Sequence, residues 1–402
     1  MQQVLPGIVG REVGEKEGLR VMELYVGPQH PASGHFRLIV YLDGDIIVDV
    51  DPDPGWVHRT MEKLAETREY IRGIPLFERM TIIDSCNITL PYVEAIEKLA
   101  GIEPPPRAQY LRTILCEINR ISSHLYGLGI GGIFLNHSTM YMWSFGDREI
   151  FLHLAEKLTG ARLTHTYVIP GGVRRDLPQG FRDDFEKAKR YMLRRLKEYD
   201  KIFFYNPMIR SRLENIGVLE TEKAKNLGVV GPNLRASKVF YDARITGYAA
   251  YNELDFTPVV GDTGDALERI WVRLREIEVS LELIEQALRE IPEGTILADR
   301  FMKMLGPNLR KIVIEEGRTK FPGAMATLKV PRGEAITRAE AGHGEIVYYV
   351  VSDGTDKPYR VRCVSPSFRN IILFKELPKG HRLMDLPAIY ASLDYFPPEA
   401  DR

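Results

Sequence analysis

Ser392-Leu-Asp-Tyr-Phe-Pro-Pro-Glu-Ala-Asp-Arg402 is the stretch on which the reading of this chain turns. It sets carboxylates at Asp394, Glu399 and Asp401 beside two aromatics and a proline pair, and it holds no cysteine. A thiolate is a soft ligand suited to nickel and low-valent iron, whereas the phenyl ring of Phe396 binds no metal. The three cysteines lie elsewhere, at Cys86, Cys116 and Cys363, with no Cys-x-x-Cys spacing and no disulfide framework. That usage fits a reducing, cytoplasmic setting.

Working outward, 402 residues allow one large or two ordinary domains, and 44% hydrophobic content suffices for a core. The 54 basic and 55 acidic residues leave a net charge of -1, which argues against nucleic acid as the main partner and against a polybasic membrane anchor. The N-terminus lacks a basic-then-apolar signal pattern. No apolar run approaches the roughly 18 residues of a membrane span, so any membrane association comes through a partner.

Arg20–Val26, Phe36–Leu42 and Asp45–Val50, around Gly44, read as a small N-terminal sheet with a tight turn. Helical spacing begins near His58, over Arg59–Ile71, Tyr92–Leu99, Pro105–Leu128, Arg148–Leu158 and Asp183–Ile202. Asp262-Thr-Gly-Asp265 caps a long helix, Ala266–Ile291, which Pro292 and Gly294 close. Glu345–Val351 and Tyr359–Cys363 return to strand, joined by the turn-rich Asp353-Gly-Thr-Asp356. The expected fold is α+β: residues 1–54 an N-terminal sheet region, 55–330 a helical core, and 331–402 a C-terminal β region and tail of the same domain.

Three segments are candidates for chemistry. In Gly27-Pro-Gln-His-Pro31, followed by Ser33-Gly-His35, flanking prolines stiffen the loop around His30 and aim its imidazole. Alone, such a residue is more often a structural loop histidine. In His58-Arg-Thr-Met-Glu-Lys63, Glu62 favours the positive end of a helix, and the bland reading is a solvated face. In Glu78-Arg-Met-Thr-Ile-Ile-Asp84, Asp84 reads first as the N-cap of the next helix. Asp353-Gly354 and Asp262–Asp265 are satisfied by turn and cap chemistry and carry no assigned role.

Together with Ala100–Ala108 and Val351–Phe368, these segments occur in the order seen in the large subunit of membrane-bound nickel-iron hydrogenases and in the quinone-site subunit of respiratory complex I. The resemblance runs from about Val21 to Arg402. Hydrogenases carry Cys-Gly-x-Cys after an Arg-apolar pair and end near Asp-Pro-Cys-x-x-Cys. Here Thr81 and Asp84 take the first two cysteine positions, and Phe396 and Glu399 take the last two. All four thiolates are missing, so no metal is expected and hydrogenase activity is excluded. The complex I pattern is broken as well. Its quinone tyrosine falls at Ile82, its histidine near Gly34 with His35 adjacent, and its aspartate at Phe134. Ile gives a quinone oxygen no hydrogen bond, and Phe cannot orient an imidazole.

A chain that lacks both sets resembles the membrane-bound sulfane-sulfur reductases of anaerobic archaea. That resemblance implies electrons passed from ferredoxin through iron–sulfur clusters to polysulfide, with ion pumping. It also implies a neighbouring small subunit with a four-iron-four-sulfur cluster, other hydrophilic-arm subunits and integral membrane ion-pumping subunits. The chain itself would bind no cofactor and would sit peripherally on the cytoplasmic face of the membrane. Asp84, Glu399, His30 and Glu62 are then the proton-handling candidates, and His35, Arg59, Arg79, Thr81 and Phe396 the candidates around the acceptor. Asp84 and Glu399 converging in a buried site would push one carboxyl towards protonation. Alternatively, Arg59 or Arg79 would pair with them in an ion-pair plug. A complex I-like subunit that reduces a quinone and a non-catalytic coupling scaffold are the rival readings.

Overall fold

The computed structural model describes residues 8–16, 19–29, 35–305, 307–319 and 328–402. Four strands, β1 (Ile8–Lys16), β2 (Leu19–Val26), β3 (Arg37–Asp43) and β4 (Ile46–Asp53), form an antiparallel meander in the order 1-2-3-4. Alternation in β3 sends Leu38, Val40 and Leu42 into the core, as a half-buried strand requires. Gly44, at φ 61°, takes the left-handed position in the two-residue turn to β4. The sequence pattern predicts the last three strands but not β1. That strand carries Arg11, Glu12, Glu15, Lys16 and two glycines, a composition that suits an exposed edge and hides its strand character.

The core face of this sheet is completed by residues from the other end of the chain. Phe36 packs at 5.1 Å from Phe374 and 4.6 Å from Tyr395, with Ile389, Tyr390 and Leu393 in the same cluster. This arrangement brings the C-terminal stretch back beside β3.

The expected helix Arg59–Ile71 is two helices, α1 (Met61–Glu66) and α2 (Tyr70–Glu78). The Thr67 hydroxyl bonds the Leu64 carbonyl at the break, a side-chain competitor to helix continuation. α3 (Ser85–Ala100) starts seven residues before the expected Tyr92 and runs through Pro91. α4 (Pro106–Phe134) opens on proline as expected but continues past Leu128. Its glycines let it press on α5 (Ser138–Thr159), since a Cβ at Gly129 would meet Ser144 Oγ at 2.5 Å. A two-residue ladder, β5 (Val168–Ile169) with β6 (Gly172–Val173), leads into α6 (Phe181–Tyr199). The long helix Ala266–Glu290 comes later, and Asp265 Oδ1 accepts from the Glu268 amide at 2.9 Å as its cap. β7 (Gly333–Ala341), which the sequence pattern does not predict, pairs with β8 (Gly344–Ser352), and β8 with β9 (Pro358–Val364). The β7–β8 turn is Gly342-His343, and it projects into the helical core. The mixed helix and strand architecture matches the expected α+β class.

Candidate functional site

The C-terminal helix Pro397–Asp401 carries Glu399 inward until it is fully buried. One Glu399 oxygen accepts from Thr81 Oγ1 at 3.1 Å and meets His343 Nδ1 at 2.6 Å. The other accepts from the Ser367 amide at 2.9 Å. Asp84 reaches the same turn from α3. Its Oδ2 accepts from the Gly342 amide at 2.6 Å and its Oδ1 from Asn87 Nδ2 at 2.7 Å. Asp84 does occupy the position before α3, but its side chain makes no cap bond, because the β7–β8 turn has claimed it. Thr81, Asp84, Phe396 and Glu399 therefore meet around Gly342-His343.

His343 is the residue that sequence reasoning missed. It lies 3.7 Å through Nε2 from Asp394 Oδ2, and its ring stacks on Phe396 at 6.0 Å with planes 17° apart. Burial works against its charge, but Glu399 and Asp394 outweigh burial and lift its pKa from 6.5 to about 9. Asp84 moves upward too, from 3.8 to about 6, because burial outweighs Arg120, the Gly342 amide and Asn87. The surrounding carboxyl groups thus favour the protonated form of the imidazole. The sequence signal was a histidine between two glycines at a hairpin tip, with nothing nearby to mark its partners.

Asp394 sits in the left-handed region at φ 50°. A Cβ at Gly127 would stand 2.6 Å from both its carboxylate oxygens, so Gly127 is the residue that admits it against α4. Arg273 Nε approaches Asp394 Oδ2 at 3.3 Å, outside hydrogen-bonding geometry. Asp394 Oδ2 and His343 Nε2 both lack a hydrogen-bond partner among the described residues.

Beside Asp394 opens a cavity of about 300 Å³, lined by His35, Tyr126, Ile130, Phe134, Tyr390, Tyr395 and Phe396 among others. His35 and Phe134 thus lie in the same chamber. Ile82 does not line it and is 42% exposed.

Two expectations fail. Arg59 and Arg79 do not plug the site: both are exposed, Arg59 bonding the Arg79 carbonyl at 2.8 Å and Arg79 the Pro75 carbonyl at 2.8 Å. Exposed backbone carbonyls lie within their reach, whereas Asp84 and Glu399 are fully buried. Nor is Glu62 a solvated helix residue. It accepts from the Cys363 amide at 2.8 Å and Arg402 Nε at 3.2 Å, and lines a separate cleft with Arg360 and Arg362. His30 lies outside the described residues. Among the described residues no three His, Cys, Asp or Glu side chains are grouped to hold a metal ion, and no helix is long and apolar enough to cross a membrane.

The comparisons agree with this architecture. The family model for the respiratory-chain NADH dehydrogenase 49 kDa subunit matches residues 135–402. The chain is 38% identical to an NADH-quinone oxidoreductase subunit of Thermodesulfovibrio yellowstonii, over 97% of this chain and 100% of that one. It is also 38% identical to an F(420)H(2) dehydrogenase subunit of Methanosarcina mazei, over 95% and 98%. Among solved structures, a chain of the membrane-bound sulfane sulfur reductase, an archaeal respiratory membrane complex, superposes with a TM-score of 0.85 at 39% identity, covering 94% of this chain and 98% of that one. A chain that brings Thr81, Asp84, Phe396 and Glu399 together at one turn, and that such relatives match along nearly its whole length, belongs to the family of the respiratory-chain NADH dehydrogenase 49 kDa subunit.

Proposed function

We propose that this chain is the acceptor-site subunit of a membrane-bound, ion-translocating complex that reduces sulfane sulfur with electrons from ferredoxin. The observation that carries the reading is the His343–Glu399–Asp394 group beside an aromatic chamber in which Phe134 stands where a quinone site needs an aspartate. Electrons arrive from a four-iron-four-sulfur cluster in an adjacent small subunit, and membrane subunits carry the ion pump, so this chain rests peripherally on the cytoplasmic face.

Two electrons and one proton convert a polysulfide into a chain one sulfur shorter plus hydrosulfide. An S–S bond breaks, the electron pair stays on the leaving sulfur, and that sulfur takes the proton. This chain supplies the proton. Protonated His343 releases it through Nε2 towards Asp394, which borders the cavity, and Glu399 fixes the imidazole through Nδ1. Asp84, with its raised pKa, joins this group by accepting the Gly342 amide of the same turn. Tyr126, Phe134, Tyr390 and Phe396 give an apolar wall that excludes water and strengthens the electrostatics inside.

One observation favours the quinone alternative: His35 lines the chamber and would offer a headgroup oxygen one hydrogen bond. Turnover of the intact complex with reduced ferredoxin, offered polysulfide or a quinone analogue separately, tests both. Polysulfide-only turnover is the expected result. Quinone-only turnover overturns the proposal and moves attention to His35.

A further inference from the structure

Deep in the helical core, apart from the acceptor chamber, lies a second group of charges. Glu117, Arg120 and His124 come from α4, Arg235 from Pro232–Arg235, Asp242 and Arg244 from the next turn, Glu276 from Ala266–Glu290, and Glu340 from β7; every one of their side chains is excluded from solvent. The pairings are direct. Arg235 contacts Glu276 at 2.6 Å, Glu340 at 2.7 Å and Asp242 at 3.5 Å. Arg244 bonds Asp242 at 2.7 Å and Glu117 at 3.2 Å, and Arg120 bonds Glu117 at 3.2 Å.

Four carboxyls face three guanidiniums, since Arg273, the next buried guanidinium, is paired with Asp394 at 3.3 Å. A buried uncompensated charge is costly, so the set takes up one proton or leaves an ion unpaired. The partners say where that proton goes. Glu117 also accepts from Tyr251 and from Ser280 Oγ at 2.6 Å, besides its two arginines. Asp242 holds Arg244 through both oxygens and its amide. Glu276 takes two Arg235 nitrogens and His124 Nε2 at 2.9 Å. These three are fixed as anions. Glu340 is the least served, with a single Arg235 nitrogen on one oxygen and the Ala243 amide at 3.0 Å on the other. His124 is the other possible holder, but its Nδ1 has no partner, so a second N–H there would be buried and unsatisfied. Arg120 and Arg273 also repel a charge on it.

We propose that Glu340 is a proton-binding site of the helical core, separate from the acceptor carboxyls. Other groups around it are the Tyr248 hydroxyl, which accepts from its amide at 3.0 Å, and Arg120 Nη2, which donates to its carbonyl at 2.7 Å. Burial, with Asp242, raises its carboxyl to about 7 against the pull of Arg235. Just past the end of β7 comes Gly342, whose amide holds Asp84, and next His343, so the charge on Glu340 is carried on the strand that presents the acceptor group.

Infrared difference spectra of the intact complex, parent minus Glu340→Gln, test this. Expected is a protonated-carboxyl band in the parent at neutral pH that the substitution removes. Asp242→Asn gives a second arm, because three carboxyls then match three guanidiniums and the parent band should vanish with Glu340 still in place. The assignment is overturned when the parent-minus-Glu340→Gln difference shows no band, or when that band persists in Asp242→Asn.

Discussion

Two buried histidines, each within hydrogen-bond distance of a glutamate, are shifted in opposite directions. His343 lies 2.6 Å from Glu399 and His124 lies 2.9 Å from Glu276. The first is lifted to about 9, whereas burial pushes the second below its ordinary value of 6.5. What separates them is whether the partner carboxylate is already neutralised. Glu276 is held by Arg235 at two nitrogens, with Arg120 and Arg273 adding repulsion around His124. Glu399 has only neutral donors, Thr81 and the Ser367 amide, so His343 is its one cation among the described residues, and Asp394 and Asp84 add to the pull. A buried histidine thus reports the charge balance of its surroundings more than its nearest contact.

The most severe way to break the contrast is Arg235→Gln. It leaves Glu276 and Asp242 short of a cation, and removing one partner from a buried pair costs about 3–5 kcal/mol. Chemical denaturation should show that loss, and His124 should become protonated at neutral pH by histidine NMR. A neutral His124 in this variant would contradict the charge-balance account.

The pH dependence of stability should show the two residues on opposite limbs. His343 has a raised pKa, so its contribution is complete below about 6.5 and disappears as pH climbs through about 9, a loss on the order of 3 kcal/mol. His124 has a lowered pKa, so its neutral form favours the fold above 6.5 and protonation weakens the fold as pH drops. His343→Gln should flatten the alkaline limb and His124→Gln the acid limb, read from unfolding midpoints across pH.

Gly127→Ala is a milder probe. Its Cβ would press on Asp394 and push the carboxylate from His343, costing about 1–3 kcal/mol by overpacking. The His343 pKa should fall in the same variant. An unchanged titration would remove Asp394 from the explanation. Smallest of all are Arg59→Ala and Arg79→Ala, which touch only exposed carbonyl contacts. Stability should stay within about 0.5 kcal/mol and His343 ionisation should not move.

Much of the frame was legible in the sequence because it depends on local periodicity: the alternation in β3, the proline at the start of α4 and the Asp265 cap all sit where their patterns point. Thr81, Asp84, Phe396 and Glu399 were placed by resemblance, and the fold gathers them at one turn. His343 was not legible, because its partner Glu399 lies 56 positions away and the unpredicted β7 is what makes its segment a hairpin tip. The arginines went wrong for the opposite reason. Charge sign suggests a pairing, but only the packed structure reveals that backbone oxygens are within closer reach.

The C-terminal helix closes against distant parts of the chain. Asp401 receives the Val57 amide across 344 positions, and Glu399 receives Thr81 across 318. At about 5–20 residues per second, a ribosome needs roughly 15–65 s to make the 318 residues between them. Through that interval Thr81 has no Glu399 to meet, and His343 itself arrives only 56 residues before it, so the group is absent from any nascent chain that stops short of Glu399.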